Sequence, residues 1–142
     1  MIQKQDKIFN QEYARELLRI AKGDLGSARI LAKEFSADNS RAENIFFMAQ
    51  QAVEKALKAV LCARKLPVPL VHDLGVLIGK IPADTMPVFG YELTQLTEFA
   101  TVRRYEEGAF VVSAEEAFDV IKTAENIMNW AEKIVNAALT SS

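Results

Sequence analysis

Between Ser40 and about Lys65, Ile45, Met48, Ala49, Ala52, Val53, Ala56, Val60 and Ala63 recur at three- and four-residue steps, and this pattern most restricts the fold. A helix gathers such residues into one stripe, whereas a strand scatters them over both faces. Ser40-Arg41-Ala42-Glu43 has the form of a capping box at its start, and Pro67 and Pro69 stop it. The alanines of the stripe make it a packing face.

The rest of the chain has the same period. Tyr13, Leu17, Ile20, Ala21, Leu25, Ala28, Leu31, Ala32 and Phe35 predict a helix from about Gln11 to Phe35, with Asn10 as N-cap. Gly23 and Gly26 lie inside it and each costs roughly 1 kcal/mol against alanine, which a close helix–helix approach would explain. Leu74, Leu77 and Ile78, fenced by Pro69 and Pro82, predict a short helix over 72–80, with Asp73 able to cap it. Leu93, Leu96, Phe99 and Ala100 predict another from Tyr91 to about Arg103. Ser113-Ala114-Glu115-Glu116 is a second capping box, and the helix after it runs to about Leu139. Its stripe of Ala114, Ala117, Phe118, Ile121, Ala124, Met128, Ala131 and Val135 is widened by Ile127, Trp130 and Ile134, which predicts packing on two sides. With short connections and no sustained strand alternation, the expected fold is all-α: an antiparallel up-and-down four-helix bundle with an additional short helix.

The 142 residues suit one domain, spanning 1–142 with a core of about 11–139. Half the residues are hydrophobic and a quarter charged, the balance of a globular chain, and no apolar run approaches the roughly 20 residues a membrane span needs. The N-terminus lacks the pattern of a signal peptide, so a cytoplasmic location is expected. A net charge of −2 argues against a basic coat for nucleic acid, so any polyanion site must be local. Cys62, the sole cysteine, sits in an apolar helical stretch and reads as a small packed side chain.

One cysteine and one histidine do not supply a zinc site, and the chain has neither a Gly-x-Gly-x-x-Gly turn nor a Gly-Lys-Ser/Thr phosphate loop. No metal and no cofactor is expected, and nucleotide contacts must come from side chains. Gln51, Glu54, Lys55 and Lys58 lie within one turn of each other, away from the alanine stripe. They are either a phosphate-contacting face or a solvated one. From Arg41 to Lys65 the charge is +3, and from Ala114 to Leu139 it is −3, so the acidic helix could also pack beside the basic one. Arg103-Arg104-Tyr105 is the stronger phosphate candidate, because arginine binds phosphate bidentately and tyrosine can stack on a base, although arginines at a helix C-terminus also suit the macrodipole. His72 is the only side chain of the one type whose charge ordinarily changes near neutral pH, which makes it the natural general acid or base, set beside its structural reading as a turn residue.

The succession of Gln50-Gln51-Ala52-Val53-Glu54-Lys55-Ala56-Leu57-Lys58, His72-Asp73-Leu74 and Arg104-Tyr105, with Asp24-Leu25 and Ala28 before and Ala117 to Trp130 after, resembles the HEPN domain family. Glu106 stands where this subfamily often has proline. The resemblance implies a helical bundle, usually a homodimer, similar to the C-terminal domain of kanamycin nucleotidyltransferase. It also implies work beside a minimal nucleotidyltransferase in a toxin–antitoxin pair. Ribonuclease members carry an arginine followed within a few residues by histidine. Here His72 follows Arg64 at a longer interval, and no histidine follows Arg103 or Arg104.

The expected function is therefore that of a nucleotidyltransferase partner contacting nucleotide or RNA through Lys55, Lys58, Arg103, Arg104 and Tyr105, without a membrane, and the absent arginine-to-histidine motif weighs against catalysis without deciding it. Two other readings stand beside it: a divergent metal-independent ribonuclease toxin using His72 and Arg104, and a helical interaction module with no nucleic ligand.

Overall fold

The computed structural model describes residues 6–35, 42–85 and 113–140. These form β1 (Asp6–Lys7), α1 (Tyr13–Lys33), α2 (Ala42–Ala63), β2 (Val68–Pro69), α3 (Leu74–Lys80) and α4 (Ala114–Thr140). The architecture is all-α in its core, as the periodicity predicts. Residues 36–41 and 86–112, and with them the Ser40 capping box and the helix expected over Tyr91–Arg103, lie outside the described residues.

α2 is the centre of the molecule, with α1, α4, α3 and β2 all packed against it. Its stripe is much wider than the period of Ile45 to Ala63 indicates. Phe46, Leu57, Ala59, Leu61 and Cys62 are buried as well, so buried positions fall on every side of the helix. A helix that is apolar almost all round is an interior helix. Alanines 49, 52, 56 and 59 are fully buried and let neighbouring helices approach its axis. Leu25, Ile45, Leu57, Leu61 and Ile127 fill the space between helices, each contributing roughly 1.5–3 kcal/mol by leaving water.

On α1 the buried set is Ala14, Leu17, Leu18, Ala21, Leu25 and Ala28. Tyr13, expected in that stripe, is exposed and stacks on Phe9 with ring centroids 4.8 Å apart. Asn10 is not the N-cap expected of it: Glu12 holds that position without a side-chain cap, and Asn10 closes the turn before the helix, its Oδ1 accepting from Glu12 N–H at 3.0 Å. Among the described residues, the close approach expected at Gly23 and Gly26 is absent, since a Cβ at either position would meet none of their atoms within 4 Å.

α4 buries Ala117, Val120, Ile121, Ala124, Ile127, Met128, Ala131 and Val135. Phe118 departs from the expected stripe: it is exposed, with its ring edge-on to Phe35 at 5.8 Å. The second capping box forms as its residues predict, Glu116 N–H donating to Ser113 Oγ at 3.1 Å and Ser113 N–H to Glu116 Oε1 at 3.2 Å.

Two acidic residues of α4 reach across to α1. Glu132 pairs with Lys22, and Glu125 with Arg29 at 3.1 Å. Seven residues forward in α1 correspond to seven back in α4, the register of an antiparallel pair. All four side chains are substantially exposed, so each pair contributes well under about 1 kcal/mol and serves alignment more than stability.

The prolines do not end α2 directly. Leu66 N–H donates to Leu61 C=O at 2.9 Å and Lys65 N–H to Cys62 C=O at 3.0 Å, the two bonds of a Schellman motif. Lys65 takes the left-handed conformation this requires, with φ 59°. The chain then forms β2, antiparallel to β1 with Asp6 opposite Pro69 and Lys7 opposite Val68, and turns into α3. Asp73 caps α3 by accepting from Val76 N–H at 3.2 Å. No helix among the described residues is long and apolar enough to cross a membrane.

Candidate functional site

Gln51, Glu54, Lys55 and Lys58 share a face of α2, as their three- and four-residue spacing dictates. That face is not a solvated one. Glu54 is only 2% exposed, and the side chains of Lys58 and Lys55 are 12% and 21% exposed. Burial of a carboxylate demands partners, and Glu54 has them on both oxygens. Lys58 Nζ donates to Oε2 at 3.1 Å, and His72 Nδ1 sits 3.0 Å from Oε1.

Lys55 extends the network sideways. Its ammonium donates to Gln51 Oε1 at 2.6 Å, and lies 3.6 Å from Asp24 Oδ2 on α1 and 3.9 Å from Glu54 Oε2. Three elements thus converge: α1 brings Asp24, α2 brings the central four residues, and the turn before α3 brings His72. The capped start of α3 and the β1–β2 pairing fix that turn over α2. Two carboxylates and two ammoniums leave the cluster balanced in charge. His72 stands at its outer edge with its side chain 79% exposed.

Sequence reasoning identified Lys55, Lys58 and His72 and placed Glu54 on their face. It did not connect His72 to Glu54, which is 18 residues away, and Asp24 entered only through a family resemblance. The signal available for Glu54 was its place one helical turn before Lys58. Arg103, Arg104 and Tyr105 lie outside the described residues, so their relation to this cluster is a matter for experiment.

Two further polar groups secure the chain leading toward them. Arg64 Nη1 donates to Thr85 Oγ1 at 2.9 Å, and Trp130 Nε1 donates to Thr85 C=O at 3.2 Å. Thr85 is itself buried. A separate groove of about 380 Å³ opens between α1 and α4, with Leu25 and Met128 among its lining and the Lys22–Glu132 and Arg29–Glu125 pairs at its sides. Its charges are already matched across it.

Cys62 is buried, as its apolar setting predicts. Its Sγ donates to Asn10 C=O at 3.3 Å, and burial pushes the thiol pKa up, with a hydrogen bond from the Ala14 backbone acting the other way. This is a packed cysteine, not a nucleophile.

Comparison with known proteins adds a family and a structural relative. The HEPN domain model matches residues 14–134. The fold is similar to the crystal structure of TT1696 from Thermus thermophilus, with a TM-score of 0.67 and 25% identity, covering 89% of this chain and 99% of that one. No curated protein matches the chain.

Proposed function

The chain belongs to the HEPN domain family, and on that premise we propose that it acts as one domain contacting nucleotide or RNA, as the partner of a minimal nucleotidyltransferase in a toxin–antitoxin-type pair. The observation that carries the nucleotide reading is the Asp24–Gln51–Glu54–Lys55–Lys58–His72 cluster. It sets ordered donors and a histidine on the face of an otherwise interior helix. Lys55 and Lys58 are held in fixed places by carboxylates that also balance their charge, so they offer preordered donors and leave the attraction for phosphate to the arginines. Arg103, Arg104 and Tyr105 complete the proposed contact surface, the arginines toward phosphate and the tyrosine toward a base. The working assembly is a homodimer resembling the C-terminal domain of kanamycin nucleotidyltransferase, and its setting is cytoplasmic.

Trp130 gives a direct test. Its indole is bonded to Thr85, at the entrance to the segment that carries Arg104. Titration with nucleotide or a short RNA should change its fluorescence, and Arg104→Ala should remove that change. Co-expression with a nucleotidyltransferase encoded beside it should yield a co-purifying complex. No binding of nucleotide or RNA by any method would end the reading.

A second reading, a metal-independent ribonuclease using His72 and Arg104, is favoured by the Glu54–His72 contact, since a buried carboxylate that orients an imidazole is a common feature of acid–base sites. RNA turnover without added metal, abolished in both His72→Ala and Arg104→Ala, would select it over pure binding.

A further inference from the structure

Residues 6–12, which lead into α1, cross the end of α2 and fasten to both sides of the joint that follows it. The Schellman bonds take the carbonyls of Leu61 and Cys62, and the next carbonyl, that of Ala63, accepts from Gln11 Nε2 at 2.7 Å. Beside it, Asn10 C=O accepts from Cys62 Sγ at 3.3 Å. At the other end of the same stretch, Asp6 and Lys7 pair with Pro69 and Val68. One end of this strap therefore holds the last turn of α2 and the other holds β2. The joint between the two anchors, residues 64–67, contains Lys65 in its left-handed conformation.

The anchors are peripheral. The β1–β2 ladder is two residues long, and Pro69 has no N–H to give to it. Between the anchors Phe9 packs on the edge of the core, stacks on Tyr13 and carries Lys7 Nζ 4.9 Å from its ring centre. A segment held by a few contacts at the rim of a bundle opens more readily than the helices it rests on.

The strap bears on His72 through β2. Only Leu70 and Val71 separate β2 from the histidine, and Asp73 then caps α3. The turn is thus pinned before by β2 and after by α3, which buries Leu74 and Leu77. Among the described residues β2 has β1 as its one strand partner. Val68, 1% exposed, also has Lys7 as its cross-strand neighbour, so lifting the strap uncovers it as well as breaking the ladder.

We propose that residues 6–12 are a latch. Closed, it fixes β2 and the following turn against α2 and so holds the contact between His72 and Glu54; open, it frees that turn while α1, α2 and α4 stay folded. The strap and the polar cluster are coupled in both directions. Whatever engages residues 6–12 changes the setting of His72, and whatever engages His72 changes how firmly the latch is shut, by the same factor. The coupling belongs to the fold and does not depend on what the cluster binds.

The test uses the full chain carrying Phe9→Ala and Gln11→Ala together. Hydrogen exchange followed by mass spectrometry reads the opening, and NMR reads the imidazole, whose cross-peak needs no assignment because the chain has a single histidine. Loss of the ring stack and of the bond to Ala63 should raise exchange in residues 6–12 and 66–73 together by about tenfold, with little change in α2 and α4, and should shift the His72 cross-peak. His72→Ala should in return raise exchange in residues 6–12 by about two- to fivefold, the range of one contact of an exposed ring. Faster exchange of residues 6–12 alone, with 66–73 and the imidazole unmoved, would overturn the proposal. An equal rise through α2 and α4 would overturn it too, by making the strap part of the global core, as would an unchanged strap in His72→Ala. Should the double variant fold poorly, Gln11→Ala alone and the exposed His72 variant decide the matter with the same readouts.

Discussion

Glu54 Oε1 and His72 Nδ1 lie 3.0 Å apart, although the first belongs to a side chain 2% exposed and the second to one 79% exposed. The contact therefore joins the interior of the bundle to its surface. Its two members have unequal structural value, and substitution should separate them. Glu54→Ala removes the shared partner of Lys58 and His72 and leaves Lys58 largely buried with a lone charge. A loss of about 2–4 kcal/mol is expected in urea unfolding. His72→Ala gives up one contact of a solvated ring and should cost less than about 1 kcal/mol. A comparable loss in both would mean that the histidine is part of the structural core and not its outer edge.

Lys65 ends α2 in a conformation that glycine adopts more easily. Its φ of 59° is demanded by the two carbonyl caps at Leu61 and Cys62. Lys65→Gly should preserve both bonds and relieve the Cβ crowding of the left-handed region, raising stability by up to about 1 kcal/mol. Chemical denaturation midpoints at constant slope would show it. A destabilised variant would indicate that the lysine side chain contributes more than its backbone costs.

Gly23 and Gly26 occupy helical positions where an added Cβ meets nothing among the described residues. Substitution by alanine should therefore gain helix propensity without a clash, about 0.5–1 kcal/mol each and nearly additive when combined. Thermal unfolding of the single and double variants is the measurement. A loss at either site would point to a function for the bare backbone there, such as contact with a partner.

Cys62 has its thiol pKa raised by burial, and the direction fixes the sign of its effect on stability. The folded chain holds the thiol proton more tightly than the unfolded one. Its contribution is complete below the pKa of the unfolded thiol and is lost as pH rises from there toward the folded value. Wild-type protein should accordingly lose more stability than Cys62→Ala between about pH 8 and 10, in urea unfolding at successive pH values. Thiol reagents should modify Cys62 slowly until the protein is unfolded.

The legible parts of this protein are those with local causes. Asp73 and the Ser113–Glu116 pair act within four residues, and their caps follow from residue type and spacing. The helical stripes are legible for the same reason, with errors at Tyr13 and Phe118, where aromatic neighbours Phe9 and Phe35 give the rings a surface partner instead of a core. In the site, Lys55 and Lys58 could be read because helix geometry puts them on one face. Asp24 and His72 could not be tied to them, since each reaches Glu54 or Lys55 only through packing of another element.

The sequence by itself determined which residues share a helix face, where most helices begin and end, and that these helices must pack together, because each of those is set by bonds and periods a few residues long. The tertiary structure alone decided that α2 lies at the centre. Once α1, α3 and α4 close around it, a helix face that would otherwise stand in water loses its solvent, and Glu54 must take Lys58 and His72 as partners. Periodicity records what lies on a face; what covers that face depends on the whole fold.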